Sequence, residues 1–350
     1  LRDDGIGGDT NDDGVASSPS PGDWGRLRFG PDASGSVSHL EIHYGGGGNT
    51  GNCCGANQPG VAAFEVSGVE APLMEHLTVI NSQTRGAKIH VTGGIHWALN
   101  QSAFRFNGDV GLEVTGNNAT VSLTGLELTS NRADGLNLRT TGEVVITEPT
   151  VASNARDGLE IHTNENVQVL RGSFLSQAGG YGLHITSAGL NSVLENNTLS
   201  NNRAVARVPM NLVQGLIAEN VLNDTERGIG VLGAALNIDA RWPAGYSYVL
   251  DGGDYTIAAN AALTLEAGAV LKFAVGDGHG NDRDINIAGR LVTTEGDAPV
   301  VFTSLRDDSA GGDTNLDGVA TEPERGNWGR LRVDAGGSLE LRNAELRYGG

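Results

Sequence analysis

The chain has 350 residues, 53 of them glycine, with 5% aromatics and a formal charge of -19. So acidic a chain is a poor partner for nucleic acid, because phosphate binding depends on clustered Lys and Arg. No run of about 18 apolar residues exists, so no segment reads as a membrane span. Many glycines and few rings point to a thin core of Val, Ile and Leu threaded through tight turns.

The start at Leu1, with neither Met nor a signal-like region, suggests a mature product or an excerpt from a longer chain. Residues 3–14 then carry the most specific chemical signal, Asp-Thr-Asn-Asp-Asp-Gly from Asp9 to Gly14. Oxygen ligands at loop positions 1, 3 and 5, followed by glycine for the sharp turn, are what a calcium loop of the EF-hand or dockerin kind requires. Asp9, Asn11 and Asp13 fill those positions, and Asp4 is a further ligand candidate. The loop departs from that pattern at position 12, where Ser20 replaces the expected acid, and in having no flanking helices. The expectation is a calcium staple, not a sensor. An ion-free Asp/Asn/Gly turn is the plainer alternative.

Residues 25–29 and 37–44 alternate polar and apolar as strands do. A glycine-rich insertion, residues 45–60, holds the only cysteines, Cys53 and Cys54. Neighbouring cysteines do not staple distant segments, which leaves free thiols, a strained vicinal disulfide, or links to another chain.

Regular rungs are expected over residues 61–233. Gly-Leu-Glu-Val begins at Gly111, Gly-Leu-Asn-Leu at Gly135, Gly-Leu-Glu-Ile at Gly158, Gly-Leu-His-Ile at Gly182 and Gly-Ile-Gly-Val at Gly228. Gly-Ala-Lys-Ile at Gly86 is a weaker copy, and Val205 stands where one further glycine is due. A period of 23–25 residues on strand-forming sequence marks a solenoid. Within each unit two apolar residues flank a polar one, which is a strand with one buried face. An amide residue precedes most of these starts: Asn81, Asn107, Asn131, Asn154, Gln177, Asn201 or Asn202, and Asn223. Stacked at one turn, such side chains bond to the copies above and below.

This combination resembles the right-handed parallel β-helix, the fold of the pectate-lyase-like superfamily and its parallel β-helix repeats. The resemblance implies an all-β architecture and carries no single activity.

After Ala240 the rung phase breaks at Arg241-Trp-Pro, and a new module is expected over residues 241–350, following a first that fills 1–240. Its second calcium loop, residues 307–318, repeats the first: Asp313, Asn315 and Asp317 as ligands, Asp308 as the further candidate, and Glu324 at position 12. Residues 305–333 match residues 1–29 at 20 of 29 positions with a constant offset of 304. A tandem module therefore overlies the rungs.

The outward columns of the rung strands place Arg139, Glu160, His162 and His184 on one face. Enzymes of the β-helix class, lyases and hydrolases of polysaccharides, work on such faces. No paired-Asp signature appears, sugar-holding aromatics are scarce, and the ion loops lie far away. Three function classes remain. One is a structural module of a secreted or cell-surface fibre or adhesin stalk, stiffened by Ca2+ and partnered by further copies of itself. The others are an enzyme acting on acidic polysaccharide and a glycan-binding adhesin, both using the Arg139 to His184 face. The first alone accounts for the duplication.

Overall fold

A computed structural model describes every residue except 1, 5–6, 49–60, 69–72, 92, 178, 224–227 and 277–282. Cys53 and Cys54 lie outside the described residues. The fold is an all-β parallel β-helix solenoid of about 9 turns. It divides into two compact units, residues 1–160 and 161–350.

In the first unit, strands Leu27–Phe29, Phe64–Gly68, Ala87–Val91, Leu112–Gly116 and Leu136–Arg139 stack in parallel. Their register follows the sequence repeat, with Phe64 beside Ala87, Ala87 beside Leu112 and Leu112 beside Leu136. Ile89, Leu112, Val114, Leu136 and Leu138 have no exposed surface. Alternation thus sends every second side chain inward on each rung.

A second face begins with Ser36–His43 against Leu73–Ile80. The front of the latter strand pairs with His96–Asn100 and its end with Ala103–Arg105. Later rungs keep this split, because one residue between the two short strands turns left-handed: Gln101 (φ 46°), Gly125 (61°) and Glu148 (54°).

The amide series occupies the next corner. Asn107 Nδ2 donates to Asn131 Oδ1 at 3.0 Å, and Asn131 Nδ2 donates to Asn154 Oδ1 at 3.0 Å. The backbone N–H groups of Ser82, Asn107 and Asn131 donate to the next Oδ1 at 3.1, 3.2 and 3.1 Å. The first slot belongs to Ser82, not Asn81. Asn81 is the left-handed residue before it (φ 56°), as Phe106, Ser130 and Ser153 are for the three asparagines.

The ladder also explains the glycine that opens each strand. A Cβ on Gly135 would lie 2.6 Å from Gly158 O and 2.9 Å from Asn154 Nδ2. The pattern visible in the sequence is therefore a clearance requirement.

Beside the ladder, Asp134 is fully buried. Its Oδ1 accepts Asp157 N–H at 3.0 Å, Arg156 approaches to 3.6 Å, and its Oδ2 has no hydrogen-bond donor. Burial pushes this carboxyl above its ordinary 3.8, against the pull of the Asp157 N–H and Arg156. The folded chain therefore holds this proton more tightly than the unfolded one. Stability is gained as pH falls through the raised value and is lost at neutral pH, where the charge sits in the core. Asp134→Asn should accordingly melt above the parent at pH 7, with the difference shrinking toward pH 4. A parent that melts higher at pH 7 would refute this.

In the second unit, Tyr181–Ser187, Ala204–Pro209, Ile229–Leu232, Ser247–Gly252, Val270–Phe273, Val300–Ser304 and Ala344–Leu346 form the corresponding stack. Leu183 lies beside Ala206, and Arg207 beside Gly230, so Val205 does hold the glycine slot. Gln177 N–H donates to Asn202 Oδ1 at 3.1 Å, which assigns the amide position to Asn202. A second ladder, absent from the sequence reading, joins Asn197 Nδ2 to Asn220 Oδ1 at 2.8 Å.

The rung is interrupted at Met210–Leu212 and the helix Val213–Ala218, which bury Met210, Leu212, Val213 and Leu216. Around the expected break at Arg241-Trp-Pro the register of the stack shifts after Val231, and Ala235–Leu236 and Ala240–Trp242 open two new four-stranded sheets. Ala240–Trp242 is a strand paired with Ala262–Leu265, and Pro243 follows it, where no ladder N–H is lost. The core here also departs from a purely aliphatic one. Trp242 stacks on Tyr248 at 4.7 Å and Phe273 on Trp328 at 4.3 Å.

Candidate metal centre

Each acidic loop is shaped by its own side chains. The Asp9 carboxylate accepts the backbone N–H of Asp13 (3.1 Å) and Gly14 (2.7 Å). Asp313 does the same for Asp317 (3.2 Å) and Gly318 (2.8 Å). Gly14 and Gly318 sit at φ 67° and 71°, a conformation that favours glycine. Asn11 Nδ2 donates to Asp13 Oδ2 and Asn315 Nδ2 to Asp317 Oδ2, both at 2.8 Å. Ser17 and Thr321 hydroxyls donate to the same two oxygens.

What remains inside each loop is a set of oxygens. Asp4, Asp9 and Asp13 each offer a carboxylate oxygen within 4.8 Å of the other two, and Asp308, Asp313 and Asp317 repeat the arrangement. Asp4 Oδ1, Asn11 Oδ1 and Asp13 Oδ1 are shielded from water without a donor, as are Asp308 Oδ1, Asn315 Oδ1 and Asp317 Oδ1. Desolvation, reinforced by the neighbouring carboxylates, raises the pKa of Asp4 and of Asp308. The Ser17 hydroxyl holds Asp13 below the ordinary range. All the ligand candidates are hard oxygens, the donor set suited to Ca2+.

Every carboxylate candidate of the sequence therefore falls in one of the two clusters, Asp4 and Asp308 included, while Asn11 and Asn315 join them through their Nδ2 bonds to Asp13 and Asp317. Position 12 does not join them. Ser20 N–H donates to Asp23 Oδ2 and Glu324 N–H to Asn327 Oδ1, both at 2.9 Å, in a separate turn. Ser17 and Thr321, eight residues beyond the first Asp, stand at loop position 9, and their hydroxyls donate to Asp13 and Asp317, so the loop extends further than its Asp-x-Asn-x-Asp-Gly core.

The second loop also rests on a cation of the protein itself. Lys272 is fully buried, and its Nζ donates to Gly312 O. Burial lowers its pKa, while Asp308, Asp307 and Asp313 oppose that shift. Ser247 Oγ donates to the adjacent Gly311 O at 3.0 Å. Asp307 faces away from the loop: burial disfavours its charge, but Ser309, Thr303 and Arg347 outweigh burial and lower its pKa.

The outward face is mostly paired. Arg139 Nη2 lies 3.1 Å from Glu160 Oε1 in the first unit, with Asn137 Nδ2 donating to Glu160 Oε2 at 2.6 Å. In the second unit His162 Nδ1 meets Thr186 Oγ1 at 2.8 Å, and His184 Nε2 lies 3.3 Å from Arg207. Arg207 is itself engaged by Asp251 at 2.9 Å.

Among known proteins, a family model described as a right-handed beta helix region matches residues 60–212 and, in an overlapping alignment, residues 110–239. The curated proteins and the solved structures give no match.

Proposed function

The chain belongs to the right-handed β-helix family, and from that premise we propose that it is a structural module of a repetitive secreted or cell-surface protein, a fibre or adhesin stalk. In this reading Ca2+ binds each acidic loop and clamps it against the coil. One observation carries the proposal: the turn at residues 9–17, with Asp4 beside it, recurs at 313–321 with Asp308, keeping the same backbone bonds, a hydroxyl on the same Asp and the same undonated oxygens. A loop copied together with its geometry is what an array needs at each module start. An enzyme gains little from a second copy of its scaffold.

In the same reading the loops are staples and not sensors, since no helix flanks either one among the described residues. It also places the chain outside the cytosol, where free Ca2+ is abundant. No helix among the described residues is long and apolar enough to cross a membrane. Turnover of, or binding to, an acidic polysaccharide at the Arg139 to His184 face is the weaker reading, because Arg139 and Glu160 neutralise each other.

Chelation is the test. An ion bound only by the native loop adds about 2.7 kcal/mol at a hundredfold excess over its Kd. EDTA should lower the melting temperature, Ca2+ should restore it, and Asp13→Ala with Asp317→Ala should abolish the difference. A melting curve indifferent to EDTA, with no heat of Ca2+ binding by calorimetry, would discard the cation and with it the staple.

A further inference from the structure

The second acidic loop does more than gather oxygens. After Val300–Ser304 the chain bends back over the stack, where Gly311 O accepts the Ser247 hydroxyl at 3.0 Å and Gly312 O accepts Lys272 Nζ. Residues 314–316 thereby close one side of a cavity of about 240 Å³. Its other walls include Tyr181, Arg203, Val249, Asp251 and Leu305, all within the second unit.

The floor of this cavity depends on an absent side chain. Arg207 stands beside Gly230, and Gly230 beside Val249, so the rung between Arg207 and Asp251 is bare at this point. A Cβ on Gly230 would lie 2.9 Å from Arg207 Cγ and 3.3 Å from Tyr181 Cε1. Without it Arg207 crosses the rung to Asp251 Oδ1, donating from Nε at 3.1 Å and from Nη2 at 2.9 Å. Asp251 Oδ2 is left with the Tyr181 hydroxyl at 3.5 Å, the long limit of a hydrogen bond. Thr314 Oγ1 is shielded from water and has no hydrogen-bond partner, although buried polar groups are almost always met. Arg203 donates to Gly179 O at 3.2 Å from Nη1, one of the five N–H groups of a guanidinium.

Arg207 neutralises Asp251, so the walls call for hydrogen bonds more than for charge. They present an acceptor on Asp251, a hydroxyl on Thr314 and donors on Arg203, around the Tyr181 ring and the aliphatic Val249 and Leu305. Hydroxyls both donate and accept, and a ring that carries them on its rim and keeps an apolar face meets every one of these groups. That is the chemistry of a pyranose. The cavity has the volume of about eight waters at ~30 Å³ each, which suits one sugar ring and not a chain. We propose that it binds a single uncharged hexose unit, the end residue of a glycan, with the ring against Tyr181 and the hydroxyls on Asp251, Thr314 and Arg203. This site goes beyond the structural-module reading, lies apart from the Arg139–Glu160 pair in sequence and chemistry, and rests on the cavity and not on a cation.

Saturation-transfer NMR on the full chain, with the methyl glycosides of glucose, galactose and mannose as probes, tests the site. At least one glycoside should receive saturation from the parent. Ala204→Leu fills the cavity from its lining and should abolish the signal. Thr314→Val should weaken binding about tenfold. Thr10→Val is the same change in the first loop, touches no wall of the cavity, and should bind as the parent does. Silence from all the glycosides overturns the proposal, as does a signal that survives Ala204→Leu. If Ala204→Leu does not fold, Thr314→Val decides, and undiminished binding there overturns the proposal as well. Glucuronate or glycine as the sole ligand has the same consequence, because the walls would then be reading charge. Hexose binding by a chain whose melt ignores EDTA sinks the calcium reading alone, and a cation-sensitive chain that takes no glycoside sinks this site alone.

Discussion

Asn131→Ala is expected to lower the unfolding free energy by about 3 to 4 kcal/mol, read from the midpoint of a urea titration at unchanged slope. The size follows from what one side chain holds. Asn131 Nδ2 donates to Phe104 O and Asn154 Oδ1, each at 3.0 Å, while its Oδ1 accepts Asn107 N–H and Nδ2 at 3.2 and 3.0 Å. Asn131 is only 2% exposed, so water does not readily replace these bonds, and each orphaned group costs about 1 to 3 kcal/mol. Asn131→Asp keeps the acceptor, loses both donated bonds and adds a buried charge, so it should be no milder at pH 7. A loss below about 1 kcal/mol for the alanine would mean that the amides merely decorate the corner.

The second large effect uses the duplication as an internal control. Trp24 and Trp328 occupy the same place in the two copies and make the same bond, Nε1 to the carbonyl of His43 or Arg347 at 2.7 Å. Trp328 is 2% exposed and stacked on Phe273, whereas Trp24 is 40% exposed. Trp328→Ala should cost about 3 to 5 kcal/mol, as aromatic deletions in a packed core do. Trp24→Ala should cost about 1 kcal/mol, mostly its hydrogen bond. Equal losses would show that the preceding rung contributes nothing to the layer it covers.

Much of the architecture was legible because it is periodic. Glycines at 111, 135 and 182 mark where an amide from the next rung needs room, and alternating Leu and Val mark the inward face. The two acidic turns were legible for a similar reason, as Asp, Asn and Gly at fixed spacing encode the turn and gather its oxygens. What stayed hidden depends on neighbours distant in sequence. Ser82 takes the ladder slot because backbone phase, not side-chain type, decides which residue points inward. Phe106 and Ser130 adopt φ 54° and 58° without any glycine to announce it, the corner being imposed by the rungs on either side. Nothing in the sequence around Lys272 marks it as buried, and only the fold brings Gly312 over it.

The ladder corner has a bearing on how such a chain changes over generations. From Ser82 to Asn154 each rung meets its neighbours through the same few bonds, made by one inward polar side chain and one left-handed residue at a fixed phase. Insertion or loss of about two dozen residues in phase leaves every junction of the same kind as before, whereas a shift of one residue turns a whole rung inside out. Gene duplication and unequal crossing-over therefore act on this molecule as they would on a ruler, adding or removing graduations while the markings on either side keep their meaning.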